Sequence, residues 1–182
     1  MADLFSHMQV SDQVTILVKN KDGKVIQRYD SAKKPFFAMA KAFIKYLITG
    51  KRTYNSMTNA GFGVTSSLIY GSGTGFTAVA IGTGTTAAAA TDTTLQTETK
   101  RKAGTTSQVT TTVTNDTSQW DATFSSSDGL SGTAAITETG ILNNNTSGGV
   151  LLLRQTFSAI NVNWDNGDTL QMIVKCKSEQ GA

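Results

Sequence analysis

One histidine, His7, and one cysteine, Cys176, narrow the chemistry this chain can perform. Imidazole is the side chain that titrates nearest neutral pH, so a single copy near one end leaves almost no histidine-based catalysis. One cysteine forms neither an intrachain disulfide nor a zinc site. Cys176 sits in a strand-like run and reads as a small buried hydrophobe. No G-x-S-x-G nucleophile elbow is present. Two carboxylate pairs lie close in sequence, Asp92 with Glu98 and Asp165 with Asp168, and turn and cap roles account for both. Asp165-Asn166-Gly167-Asp168 has a faint likeness to a calcium loop but lacks its other ligand positions and distal glutamate. Gly71-Ser72-Gly73-Thr74-Gly75 and Gly82-Thr83-Gly84 lack the Gly-Lys-Ser/Thr of a phosphate loop and are expected in loops and turns. Asn115-Asp116-Thr117 and Asn145-Thr146-Ser147 match the glycosylation acceptor, which matters only in a secreted chain. The opening, Met1 to Phe5, has no basic and apolar leader pattern. No catalytic, cofactor-binding or metal-ligating residue is assigned, and an enzyme is the least expected class.

What could position such residues is bounded by 182 residues, 19.3 kDa, enough for one domain with a real core. Charged residues are 16% of the chain, below the usual ~25%. Threonine is over-represented at 29 copies, and glycine reaches 17. These residues are poor helix formers, and alternating threonine suits strands. No apolar run approaches the ~18 residues of a membrane span. Charge is uneven: residues 1–52 hold 10 of the 16 basic and 4 of the 13 acidic residues. A basic segment at 19–52 raises contact with nucleic acid. The aromatic residues within it, such as Phe36 and Phe43, read as a core or interface stripe of a helix rather than as stacking platforms, so a solvated face is the favoured reading for its charges. Lys100-Arg101-Lys102 is a second, smaller basic cluster.

The pattern along the chain predicts a mainly β protein: an antiparallel β-sandwich or jelly roll with an N-terminal hairpin and one amphipathic helix. Residues 1–12 read as an arm and 13–182 as a single β-rich domain. Within it, 13–52 form a basic hairpin-helix segment and 76–177 the sandwich core. Val14–Val18 and Val25–Tyr29 flank an Asp22-Gly23 turn. After Pro35, the residues Phe36, Met39, Ala40, Phe43 and Leu47 share one helical stripe, predicting a helix over 33–49. Residues 50–75 read as a connection with a short strand from Val64 to Tyr70, and 83–94 as a helical turn or extended arm. Further strands are expected at 76–81, 108–114, 119–124, 133–142, 150–157 and 169–176. Turns are expected at 125–129, 143–149 and 163–168.

Two stretches carry a resemblance. The first runs Ala80-Ile81-Gly82-Thr83-Gly84-Thr85-Thr86 to Thr91-Asp92-Thr93-Thr94-Leu95-Gln96-Thr97-Glu98. The second runs from Ile136-Thr137-Glu138-Thr139-Gly140-Ile141, through Gly149-Val150-Leu151-Leu152-Leu153-Arg154-Gln155-Thr156-Phe157, to Asn166-Gly167-Asp168-Thr169-Leu170-Gln171-Met172. Their order resembles a group of small virion structural proteins of tailed bacteriophages, over most of 76–174 and more loosely over 14–30. The resemblance implies a collar, tail, baseplate or capsid-exterior protein located in the virion and made in the host bacterial cytoplasm. Its partners would be copies of itself and other virion proteins, with no cofactor and no membrane.

Physical roles for the matched residues agree with that. Gly82 and Gly84 permit a sharp exit from a strand. Asp92 caps a turn before Leu95 packs inward. Glu138 and Arg154 pair across neighbouring strands. Gly140 allows a bulge or close approach. Phe157 and Leu170 are core. The alternative is a receptor- or carbohydrate-binding β-sandwich that stacks ligands on Trp120, Trp164, Tyr54 and Tyr70.

Overall fold

The computed structural model describes residues 8–31, 57–69 and 71–180. Among the described residues nine strands make two antiparallel sheets. β1 (Met8–Lys19), β2 (Val25–Asp30), β5 (Thr105–Val109), β6 (Thr117–Phe124) and β9 (Thr169–Gln180) form a five-stranded sheet, in the order β2-β1-β9-β6-β5. β3 (Ala78–Gly82), β4 (Glu98–Ala103), β7 (Thr133–Leu142) and β8 (Leu151–Asn163) form a four-stranded sheet, in the order β4-β3-β7-β8. The expected mainly β, sandwich-like architecture with an N-terminal hairpin is the one found.

Period-two patterning explains the core. Val14, Ile16 and Val18 on β1 are buried while Thr15 and Leu17 are half-buried. Leu170, Met172, Val174 and Cys176 do the same on β9, where the alternate residues Gln171, Ile173 and Lys175 are half-buried. The 12-residue β1–β9 ladder locks these two stripes onto one face. They pack with Trp120 and Phe124 against Val79, Ile81, Ile136, Leu153 and Val162 of the opposite sheet. Phe157 packs half-buried on the rim, its ring 5.2 Å from that of Tyr29.

The outer face of the four-stranded sheet is also covered. Ala78, Ala80, Leu142 and Leu151 form a second small core with Leu95, which comes from the β3–β4 connection. All five residues of β3 are therefore buried.

Several expectations need correction. Val64 to Ile69 is not a strand but the second half of a helix, α1 (Asn59–Ile69). The Thr58 hydroxyl accepts the Gly61 N–H at 2.9 Å and caps it. Gly61 lets α1 approach β8 so closely that a Cβ would stand 2.8 Å from the Leu152 Cα. Residues 83–94 form neither a helical turn nor a free arm; they fold over the sheet. The strand expected at 108–114 lies earlier, at β5, because Asp116 gathers 110–116 into a loop. β4, all polar apart from its last residue, was not expected at all. β1 begins at Met8, inside the stretch expected as an arm. The helix expected over 33–49 lies outside the described residues.

Candidate functional site

The densest polar cluster sits beneath the β3–β4 connection. Glu138 on β7 and Arg154 on β8 are 0% and 2% exposed. β7 places them diagonally, since Gly140 is directly opposite Arg154 and Glu138 opposite Thr156. Arg154 Nε donates to Glu138 Oε2 at 2.7 Å, Nη1 to Asp92 Oδ2 at 3.0 Å, and Nη2 to the Thr86 carbonyl at 3.0 Å. Glu138 Oε1 accepts the N–H groups of Gly84 at 2.9 Å and Thr97 at 2.7 Å. Oε2 also accepts the Gln96 N–H at 3.0 Å.

Two readings of matched residues are thus realised. Glu138 and Arg154 pair, and Asp92 caps a turn by accepting the Ala89 N–H at 2.9 Å. Gly82 and Gly84 have a different reason from the expected sharp turn. A Cβ on Gly82 would lie 2.6 Å from Glu138 Oε1, and one on Gly84 2.5 Å from it. The glycines are cut away to admit the carboxylate. Gly140 likewise admits Leu95, whose Cδ1 would stand 2.6 Å from a Cβ there. Thr86, Gln96 and Thr97 complete the cluster, and sequence reasoning missed them because they act mainly through their backbone.

This arrangement decides what Glu138 can do. An ionised carboxylate offers about four lone-pair sites, and the four donors fill them. Burial favours the neutral acid. The Thr97 N–H, the Arg154 guanidinium and the Gln96 and Gly84 N–H groups outweigh it, holding Glu138 below the ordinary 4.5. A general base needs a free lone pair and a raised pKa; this carboxylate has neither.

The other candidate residues separate into structural contacts. Asp92 and Glu98 do not share a site: Glu98 grips Arg101 through two contacts of 2.6 Å. Arg101 Nη1 also donates to the Asn144 and Gly148 carbonyls, at 3.2 and 2.6 Å. Lys102 pairs with Asp128 at 2.6 Å. The Lys100–Lys102 cluster is therefore largely absorbed into the fold. Asp165 accepts the Gly132 N–H at 2.9 Å and Asp168 the Asn163 N–H at 3.1 Å. Among the described residues no group of three or more acidic, histidine or cysteine residues is placed to hold a metal. In the basic segment, Lys19 bonds Gln171 at 3.0 Å and Arg28 stands 3.6 Å from Asp30, while Lys21 and Lys24 are exposed at the hairpin turn. Its cations from 33 to 52 lie outside the described residues.

A groove of about 580 Å³ opens between α1 and the β5–β6 end of the five-stranded sheet. Met57, Leu68, Phe76, Trp120, Leu152 and Cys176 line it, with threonines, serines and glutamines. Among the described residues no carboxylate, amine, guanidinium or imidazole lines it. Trp120 does not offer a stacking face to solvent: it is 6% exposed, and its Nε1 donates to the Phe76 carbonyl at 2.7 Å. Trp164 is 1% exposed. The expected aromatic platform loses both tryptophans, and Tyr54 and Tyr70 lie outside the described residues.

No family model, curated protein or solved structure matches this chain. Among the described residues no helix is long and apolar enough to cross a membrane.

Proposed function

We propose that this chain is a non-enzymatic structural protein of a tailed-phage virion, present in multiple copies and joining neighbouring proteins of the collar, tail or capsid exterior. One observation carries the reading. Seven of the residues that carry the resemblance, Gly82, Gly84, Asp92, Leu95, Glu138, Gly140 and Arg154, meet in one interlock beneath the β3–β4 connection. Residues that satisfy one another in this way are a device for holding a fold. Low overall charge and one uncharged edge strand, β5, support the same reading.

The test is direct. Particles are banded on a density gradient, washed with salt, and quantified for this protein by mass spectrometry. The protein is expected to stay with the particles in a fixed copy number. Recovery only in the unbound fraction overturns the proposal.

A further inference from the structure

Among the described residues the two sheets have four edge strands: β2 and β5 on one, β4 and β8 on the other. An edge strand presents unpaired N–H and C=O groups, and folded proteins blunt such edges with charge, bulges or covering chain. Three of these four are blunted. β2 carries Arg28 and Asp30, and its ladder with β1 slips between Val18 and Lys19. β4 carries Glu98, Lys100, Arg101 and Lys102, and its ladder with β3 slips between Ile81 and Gly82. β8 carries Arg154, slips twice against β7, and is partly covered where Met57 bridges to Leu153 and Thr58 bonds Leu152. β5, Thr105-Thr106-Ser107-Gln108-Val109, has no charge, no proline and no slip against β6. Among the described residues nothing pairs with its outer side. Thr105 to Gln108 are all exposed.

We propose that this edge docks on the same edge of a second copy, antiparallel and centred on Ser107, so that two five-stranded sheets become one. The inference rests on the reading of a multi-copy structural protein and names one of its contacts. The partner is argued from charge and self-complementarity. Antiparallel pairing about Ser107 sets Thr106 opposite Gln108 and Thr105 opposite Val109, with no like charges facing and β-branched residues paired at both ends. Self-pairing of β4 in the same way would set Lys100 against Arg101. The contact is isologous, so it closes as a two-fold dimer. A five-residue edge supplies few ladder bonds, so the association is concentration-dependent.

Sedimentation velocity across the micromolar range tests this on the full chain, with Ser107→Lys and Ser107→Glu beside the unaltered protein. Ser107 is exposed on the edge, and circular dichroism checks that each variant is folded. Each variant alone opposes two like charges at the two-fold axis and is expected to associate about tenfold more weakly or worse. A mixture of the two variants is expected to regain dimer, because Lys then faces Glu. As a second readout, Ser107→Cys under oxidation is expected to give a covalent dimer. A chain that stays monomeric overturns the proposal. So does association unchanged in both variants, or a mixture no better than its parts. Those outcomes remove the β5 contact alone; whether the protein belongs to a particle is decided separately by the gradient experiment.

Discussion

Removing either half of the Glu138–Arg154 pair takes the charged partner from a buried group, which keeps its other bonds: Asp92 and the Thr86 carbonyl for Arg154, three N–H groups for Glu138. Breaking a buried pair in this way typically costs about 3–5 kcal/mol. Glu138→Ala and Arg154→Ala are expected to lose up to that much in urea unfolding, since each remaining charge keeps other partners, and the double variant less than their sum. Gly84→Ala drives a methyl into Glu138 Oε1 and the Gln96 Cβ, each 2.5 Å away, with an expected loss of about 1–3 kcal/mol from overpacking. The pH dependence follows from the same bonds. Glu138 is held below its ordinary 4.5, so the unfolded chain takes up the proton first as pH falls. Its contribution is complete above that value and is lost as pH drops through the lower folded-state value. Urea midpoints are expected to be level above about pH 5 and to fall below it. A Glu138→Gln variant is expected to show a shallower fall, and an unchanged slope would remove Glu138 from the account.

At the scale of elements, α1 and the 110–116 loop are each held by a few specific contacts. α1 is short, with two internal glycines, and its residues Thr65 and Ser67 bond back to the Gly61 and Gly63 carbonyls. It stands by docking on β8 at Gly61 and by the Thr58 cap, whose hydroxyl also bonds the Leu151 carbonyl. Gly61→Val is expected to undock the helix, read as early proteolysis within 57–69 while the sandwich melts near its usual temperature. In the loop, desolvation works against the Asp116 anion. The N–H groups of Val113, Thr112 and Thr111, with the Thr111 hydroxyl, outweigh it and hold the carboxyl far below its ordinary range. Asp116→Ala is expected to speed hydrogen exchange at 111–113 with little change in global stability. Protection left intact there would mean that the loop is held by other bonds.

Over the whole molecule, the sandwich buries both tryptophans between its sheets. Intrinsic fluorescence is expected to be blue-shifted, insensitive to simple sugars and poorly quenched by acrylamide, with a red shift only on unfolding. Quenching by a saccharide in the folded state would restore the receptor-binding alternative. The β3–β4 connection gives the four-stranded sheet a second covered face, so the interlock joins three layers rather than two. Weakening it is expected to expose the Ala78, Ala80, Leu142 and Leu151 face before the main core opens. Dye binding that precedes loss of tryptophan burial, in Glu138→Ala under mild acid, would report that order.

Alternation of apolar residues, the Asp-Gly and Asn-Gly turns and the scarcity of histidine and cysteine were legible without coordinates. They determined a mainly β protein, the strand β7 to the residue, and the improbability of imidazole or thiol chemistry. Period-two burial is a local property, so strands such as Leu170–Cys176 declare themselves. The pairing of Glu138 with Arg154 was legible too, because opposite charges on strands that could be neighbours suggest a partner. Tertiary structure alone decided the rest. α1 has too little local propensity to be seen and exists through the adjacent Thr58 cap and a glycine contact with the distant strand β8. β4 is almost entirely polar because it is an edge strand whose charges are spent on Asp128 and on loop carbonyls. The Thr97, Gln96 and Gly84 N–H groups converge on one carboxylate from 41 to 54 residues away. Backbone donors are the same in every residue, so only the folded path of the chain could reveal which of them would meet Glu138.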